Sequence, residues 1–255
     1  YAVSGTNVIH IASGTYDIST AVAVGKVVSF YGGYLVDYDT NTATRPLKAG
    51  GKSWEFENET ILNGVLYTGT NTDSKNSKLI HVGGSIAGNV IIDGITFQNG
   101  QGKFTSSNEL GGAVSQSTGS LFVVKLNNCI LKNNGVTKAD NTSGGMGGAV
   151  YLRENAEVID CCFYQNSANV GSSGGGALYS QPTAVTSTIK ISGCLFEANS
   201  SNVSGAGVRT NGVRKTTIEN CIFISNIAKD GATYKNGAAL YCSGTTDVAP
   251  SIDEI

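Results

Sequence analysis

Charged side chains, prolines and long apolar runs are all scarce in this chain. Asp, Glu, Lys and Arg make up 14% of its 255 residues and leave a formal net charge of -2. That balance offers no basic face for nucleic acid and no like-charge run of the kind that keeps a tail disordered. Apolar runs such as Val90 to Ile92 are far too short to cross a bilayer, so no transmembrane segment is expected. No basic, apolar leader precedes Tyr1, and a start at Tyr rather than Met predicts that a signal peptide or a longer N-terminal part has been removed. With only two histidines, His10 and His81, a Ser-His-Asp or Cys-His site would have to use one of them, and nothing in the local sequence resembles a nucleophile elbow.

Glycine is abundant instead, at 34 residues, and Ser, Thr and Asn fill most polar positions around short β-branched runs. That composition is not helical, and it predicts an all-β fold. Two motifs alternate along the second half. The first is Gly-Gly-Ala-aliphatic, at Gly111 to Val114, Gly147 to Val150 and Gly175 to Leu178, with degenerate copies at Gly205 to Val208 and Gly237 to Leu240. The second is Cys-x-(Leu/Phe)-x-x-Asn, at Cys129 to Asn134, Cys161 to Asn166, Cys194 to Asn199 and Cys221 to Asn226, with a weaker relative at Ile95 to Asn99. The aliphatic of the first motif recurs at intervals of 36, 28, 30 and 32 residues, and the Leu/Phe of the second at 32, 33 and 27. Such scatter suits a coil whose loops vary while its strands stay in step.

A third short β pattern lies between the motifs, at Phe122 to Leu126, Val158 to Ile159, Thr188 to Ile191 and Thr216 to Ile218. Three strands in a period of this size can satisfy their backbone by pairing each strand, parallel and in register, with its equivalent in the next coil. The expected architecture is a single-stranded right-handed parallel β-helix with three short strands per coil. Alternation then points the Cys and the Leu/Phe of the second motif into the core. The recurring Asn predicts an asparagine ladder at a turn where αL geometry is tolerated. Parallel neighbours one strand spacing apart are too distant for a disulfide, so Cys129, Cys161, Cys194 and Cys221 are expected as free, buried thiols. Cys161-Cys162 lacks zinc-ligand spacing, no His lies near a Cys, and neither a metal nor a cofactor is expected.

Residues 1–255 are expected to form one β-helix domain. Its irregular N-terminal coils occupy 1–93 and regular coils occupy 94–255. A loop at about 37–58, holding Pro46 and the sole tryptophan, Trp54, is inserted into the N-terminal coils. Strand-like pieces there are Val8 to Ala12, Val27 to Tyr31, Thr60 to Leu62, Leu79 to Val82 and Val90 to Ile92.

Gly147-Gly148-Ala149-Val150 followed by Phe163-Tyr164-Gln165-Asn166 resembles the chlamydial polymorphic outer membrane protein repeat. The earlier segments Ile9 to Tyr16 and Val28 to Tyr34 are similar to the opening coils of gut Bacteroidetes surface proteins of the pectate-lyase-like superfamily. Together these resemblances cover most of the chain. They imply an extracellular or outer-membrane-attached protein, with adhesion to a glycan or to a host or bacterial surface component as its role. The chain departs from the repeat at Ala206-Gly207 and Ala238-Ala239. With no capping pattern at either end, the chain is expected either to continue into a larger protein or to close its ends by association.

Among candidate sites, the residue after each aliphatic of the first motif gives Ser115, Tyr151, Tyr179, Arg209 and Tyr241, which alternation points out of the coil. Tyr151, Tyr179, Arg209 and Tyr241 therefore form the expected ligand-binding strip, since tyrosine rings stack on sugar faces while their hydroxyls bond outward. The same residues also suit a purely supporting stack beneath the loops. The densest carboxylate cluster is Arg153, Glu154, Glu157 and Asp160, which reads as a solvated, partly ion-paired turn. The functional expectation is an adhesion or carbohydrate-binding module, with a polysaccharide lyase or glycoside hydrolase and a structural stalk as alternatives. A shortage of carboxylates at equivalent positions and a total of four arginines weigh against the enzyme, and no catalytic residue is assigned.

Overall fold

Short β-branched runs separated by glycine and asparagine turns close into coils, because the strands are only two to seven residues long and nearly all find their pairing partner one period away. The computed structural model describes residues 7–35, 44–65, 78–102, 109–117, 122–136, 145–168, 174–182, 186–211 and 216–243. Among these all regular structure is β, and no helix is long and apolar enough to cross a membrane. Three seven-stranded parallel sheets run the length of a right-handed β-helix. Sheet I stacks Asn7–Ala12, Val28–Tyr34, Asn89–Asp93, Val123–Asn127, Ala156–Ile159, Ile189–Ser192 and Thr216–Glu219. Sheet II stacks Gly14–Ile18, Thr60–Gly64, Ile95–Gln98, Ile130–Lys132, Cys162–Tyr164, Leu195–Glu197 and Ile222–Ile224. Sheet III stacks Val22–Val24, Ile80–Val82, Val114–Gln116, Val150–Leu152, Leu178–Ser180, Val208–Asn211 and Leu240–Ser243.

Inside the coil, equivalent side chains stack in columns. Phe163, Phe196 and Phe223 lie nearly parallel with ring centroids 4.7 and 4.9 Å apart, the inter-strand spacing itself. Cys129, Cys161, Cys194 and Cys221 are buried, free thiols in a column beside them. Burial pushes the Cys161 thiol well up, and contact with Cys194 together with burial pushes Cys221 up. Cys194 contacts both, so sharing a proton along the column would require a thiolate in the core, which burial opposes.

The asparagine ladder is present. Asn134 Nδ2 donates to Asn166 Oδ1 at 3.1 Å, Asn166 to Asn199 at 3.0 Å and Asn199 to Asn226 at 2.9 Å. Each also donates to a carbonyl of the neighbouring coil: Phe97, Leu131, Phe163 and Phe196 for Asn134, Asn166, Asn199 and Asn226 in turn. The αL conformation falls one residue earlier than expected, at Asn133, Gln165, Ala198 and Ser225. Asn99 matches that earlier position, and Gly100 stands in the ladder slot, its amide donating to Asn134 Oδ1.

Other departures from expectation are instructive. Beside the expected three strands per coil, a further sheet of mostly two-residue strands, from Gln101–Gly102 to Ile227–Asp230, follows the ladder in successive coils. Gly14–Ile18 and Val22–Val24 are additional strands of the first coil. The degenerate repeats keep register, with Val208 between Leu178 and Leu240.

Residues 44–59 of the insertion fold back onto the corner between sheets I and II. Arg45 is the anchor. Its Nε donates to the Gly32 carbonyl at 2.6 Å, its guanidinium pairs with Asp93 at 2.6 Å, and Phe56 stacks at 4.5 Å. The guanidinium occupies the space that a side chain at Gly94 would fill. The part of the expected loop at 37–43 lies outside the described residues.

Candidate functional site

On sheet III, register places Ala23, His81, Ser115, Tyr151, Tyr179, Arg209 and Tyr241 in one column, each following an inward aliphatic. The expected column therefore exists, facing away from the coil core. Its exposure differs from expectation, because Tyr151 is only 1% and Tyr179 only 2% accessible. The reason is local. The αL glycine that opens each Gly-Gly-Ala motif turns its backbone close over the column: a Cβ on Gly175 would sit 2.8 Å from Tyr179 Cβ, and one on Gly111 2.9 Å from the Tyr151 nitrogen. The two rings stack at 5.9 Å, and their hydroxyls are held within the protein. Tyr151 Oη donates to Gln181 at 3.1 Å, and Asn211 donates to Tyr179 Oη at 3.0 Å. Burial pushes the Tyr151 hydroxyl up to about 12.

The column opens at its other end. The Arg209 guanidinium lies between Tyr179, at 5.5 Å, and Tyr241, at 5.2 Å, and donates to Ser204 Oγ at 3.2 Å. Its Nε is buried without a partner among the described residues. Tyr241 lines a cleft of about 340 Å³ with Val203, Ser204, Tyr234, Lys235 and Asn236. Tyr234 is 77% exposed, and the Lys229 ammonium sits 5.1 Å from its ring. Tyr234 carries no repeat signature because it belongs to a short antiparallel excursion, Thr233–Tyr234 against Ile227–Asp230, which only the last described coil possesses.

At the opposite end of the column His81 Nδ1 lies 2.8 Å from Ser115 Oγ, a contact invisible in sequence because it spans 34 residues. Burial, and then Lys78, hold the His81 imidazole below its ordinary range, and burial lowers Lys78 as well. A neutral imidazole on a serine is the beginning of a nucleophile pair. Ser115, however, is fully buried, which closes its hydroxyl to a substrate.

The acidic cluster does not assemble; Glu154 departs from the solvated, partly ion-paired turn expected, whereas Glu157 keeps an ion pair. Glu154 is buried and accepts from Ser187 at 2.7 Å, Glu157 pairs with Lys125 at 2.8 Å on the outer face of sheet I, and Asp160 turns the next corner. A strand disperses neighbours in sequence around the coil, whereas register gathers residues one period apart. Compared with protein-family models, curated proteins and solved structures, the chain matches none.

Proposed function

We propose that this chain is the body of a secreted or cell-surface β-helix protein, of the pectate-lyase-like kind its motifs resemble, and that it binds carbohydrate as an adhesion-type module. The observation that carries the reading is the cleft at the open end of the sheet III column, where Tyr241 and the exposed Tyr234 meet Ser204, Lys235 and Asn236. Aromatic rings beside hydroxyl, amide and ammonium groups match the two faces of a sugar, one apolar with C–H bonds and one rich in hydroxyls. Arg209 stiffens Tyr241 from behind, and Tyr179 and Tyr151 continue the stack inward as support rather than contact. Rigidity of this kind lowers the ordering cost of binding a flexible glycan.

A panel of host and plant glycans tests the reading. Retention of intact glycan is expected. New reducing or unsaturated ends would assign an enzyme instead, and silence across the panel would leave a structural stalk.

A further inference from the structure

The corner between sheets I and II is built on a second column of αL residues: Gly94, Asn128, Asp160, Gly193 and Asn220, with φ between 51° and 69°. Four are glycine or asparagine, the residues that tolerate this conformation most easily. Asp160 is the exception. Gly193, one coil further on, has no side chain, and an Asp160 carboxylate oxygen occupies the space its Cβ would take. Asn220 follows in the next coil, roughly 10 Å from Asp160 at two strand spacings. The Asp160 carboxylate reaches into the Gly193 space, and a notch in the corner lies beside it.

The insertion covers this notch. Having anchored Arg45 at Gly94, it brings Lys52, Ser53 and Trp54 to Gly193, and these residues with Asp160, Asn220, Leu195 and Ile222 line a groove of about 280 Å³. Arg45 fills the first glycine position of the column, and the Asp160 carboxylate reaches into the second, with the groove beside it. Among the described residues the Asp160 carboxylate has neither a hydrogen-bond donor nor a counter-ion, although burial, and then Cys194, raise its proton affinity. A carboxylate that lines a groove beside an aromatic ring and is not engaged by the fold is an acceptor open to a ligand.

We propose that this notch is a binding site for a single uncharged pyranose ring. Trp54 supplies an aromatic wall for the C–H face of the sugar, with Leu195 and Ile222 extending the apolar side. Asp160 accepts from ring hydroxyls, and Asn220 and Lys52 complete the polar side. Lys52 and Asp160 together leave the lining electrically balanced, which favours a neutral ligand over an anion or a cation. The groove volume lies at the small end for ligand pockets, and fits one sugar unit rather than an oligosaccharide. The site is separate from the Tyr241 cleft, and neither depends on the other.

Trp54 is the only tryptophan, so intrinsic tryptophan emission reports on the notch alone. The whole chain is titrated with the methyl pyranosides of glucose, galactose and mannose, and with tetramethylammonium chloride. At least one glycoside is expected to change the emission saturably, with a dissociation constant on the order of millimolar for a ligand of about a dozen heavy atoms. Asp160→Asn is expected to weaken that response at least tenfold without lowering the melting temperature, since Asn128 and Asn220 already occupy this turn position. No saturable change with any glycoside, a response to tetramethylammonium alone, or unaltered affinity in Asp160→Asn would each overturn the proposal. Glycan retention through the Tyr241 cleft is read separately, so loss of one site leaves the other standing.

Discussion

Asn166 shows how much one side chain carries in a stacked coil. Fully buried, it accepts from the Asn134 amide nitrogen and Nδ2 at 3.0 and 3.1 Å, and donates to the Leu131 carbonyl at 2.8 Å and Asn199 Oδ1 at 3.0 Å. Asn166→Ala leaves these buried groups unpaired. Each costs about 1 to 3 kcal/mol alone, and because they share one network the losses do not add in full. A destabilisation of about 3 to 5 kcal/mol is expected by denaturant unfolding, and a value under about 1 kcal/mol would mean that the ladder is not formed. The core thiols act differently. They fill space in register with one another, and burial holds the Cys161 thiol well above its ordinary range, which suits packing rather than a reactive role.

Among the elements, the insertion is held chiefly through Arg45, whose side chain is 19% exposed and faces Asp93 at 13%. Removing one partner of such a pair strands the other charge, as well as the Gly32 carbonyl, so Arg45→Ala is expected to cost about 2 to 4 kcal/mol. It should also release residues 44–59 from the corner, red-shifting Trp54 emission; unaltered emission would show that the insertion docks without its anchor. None of this docking was legible in the sequence, because Arg45 meets residues 13 and 48 positions away that share no motif with it. The regular coils were legible for the opposite reason. Every coil there repeats the same steric problem, a glycine turn into sheet III and a Cys and Asn around sheet II, so the solution is written several times over. Gly14–Ile18 and Val22–Val24 lacked such repetition, and two-residue strands such as Ser167–Ala168 are too short to show alternation. The sheet III column was legible as a column, since alternation fixes which way Tyr151 and Tyr179 leave the strand. What lies over them was not, because cover depends on the path of the preceding glycine turn.

At the scale of the whole molecule, stability comes from repetition inside the coil more than from the outer charges. The pairs Lys125–Glu157 and Lys190–Glu219 extend along sheet I but keep 26% to 49% of their side-chain surface in water, where such contacts contribute little. The buried ladders leave a stiff rod whose outer features sit at fixed spacing, one about 4.8 Å step per coil. The Tyr241 cleft and the Trp54 notch lie on different faces of that rod, against sheet III and at the corner of sheets I and II. The account turns on the cleft being where glycan binds. The most direct measurement is the affinity of Tyr234→Ala for a glycan retained by the parent chain, taken together with its melting temperature. Tyr234 is largely exposed, so the melting temperature is expected to hold, while loss of a stacking ring should weaken binding by about 1 to 3 kcal/mol, roughly five- to 150-fold. Unchanged affinity in Tyr234→Ala would contradict the account.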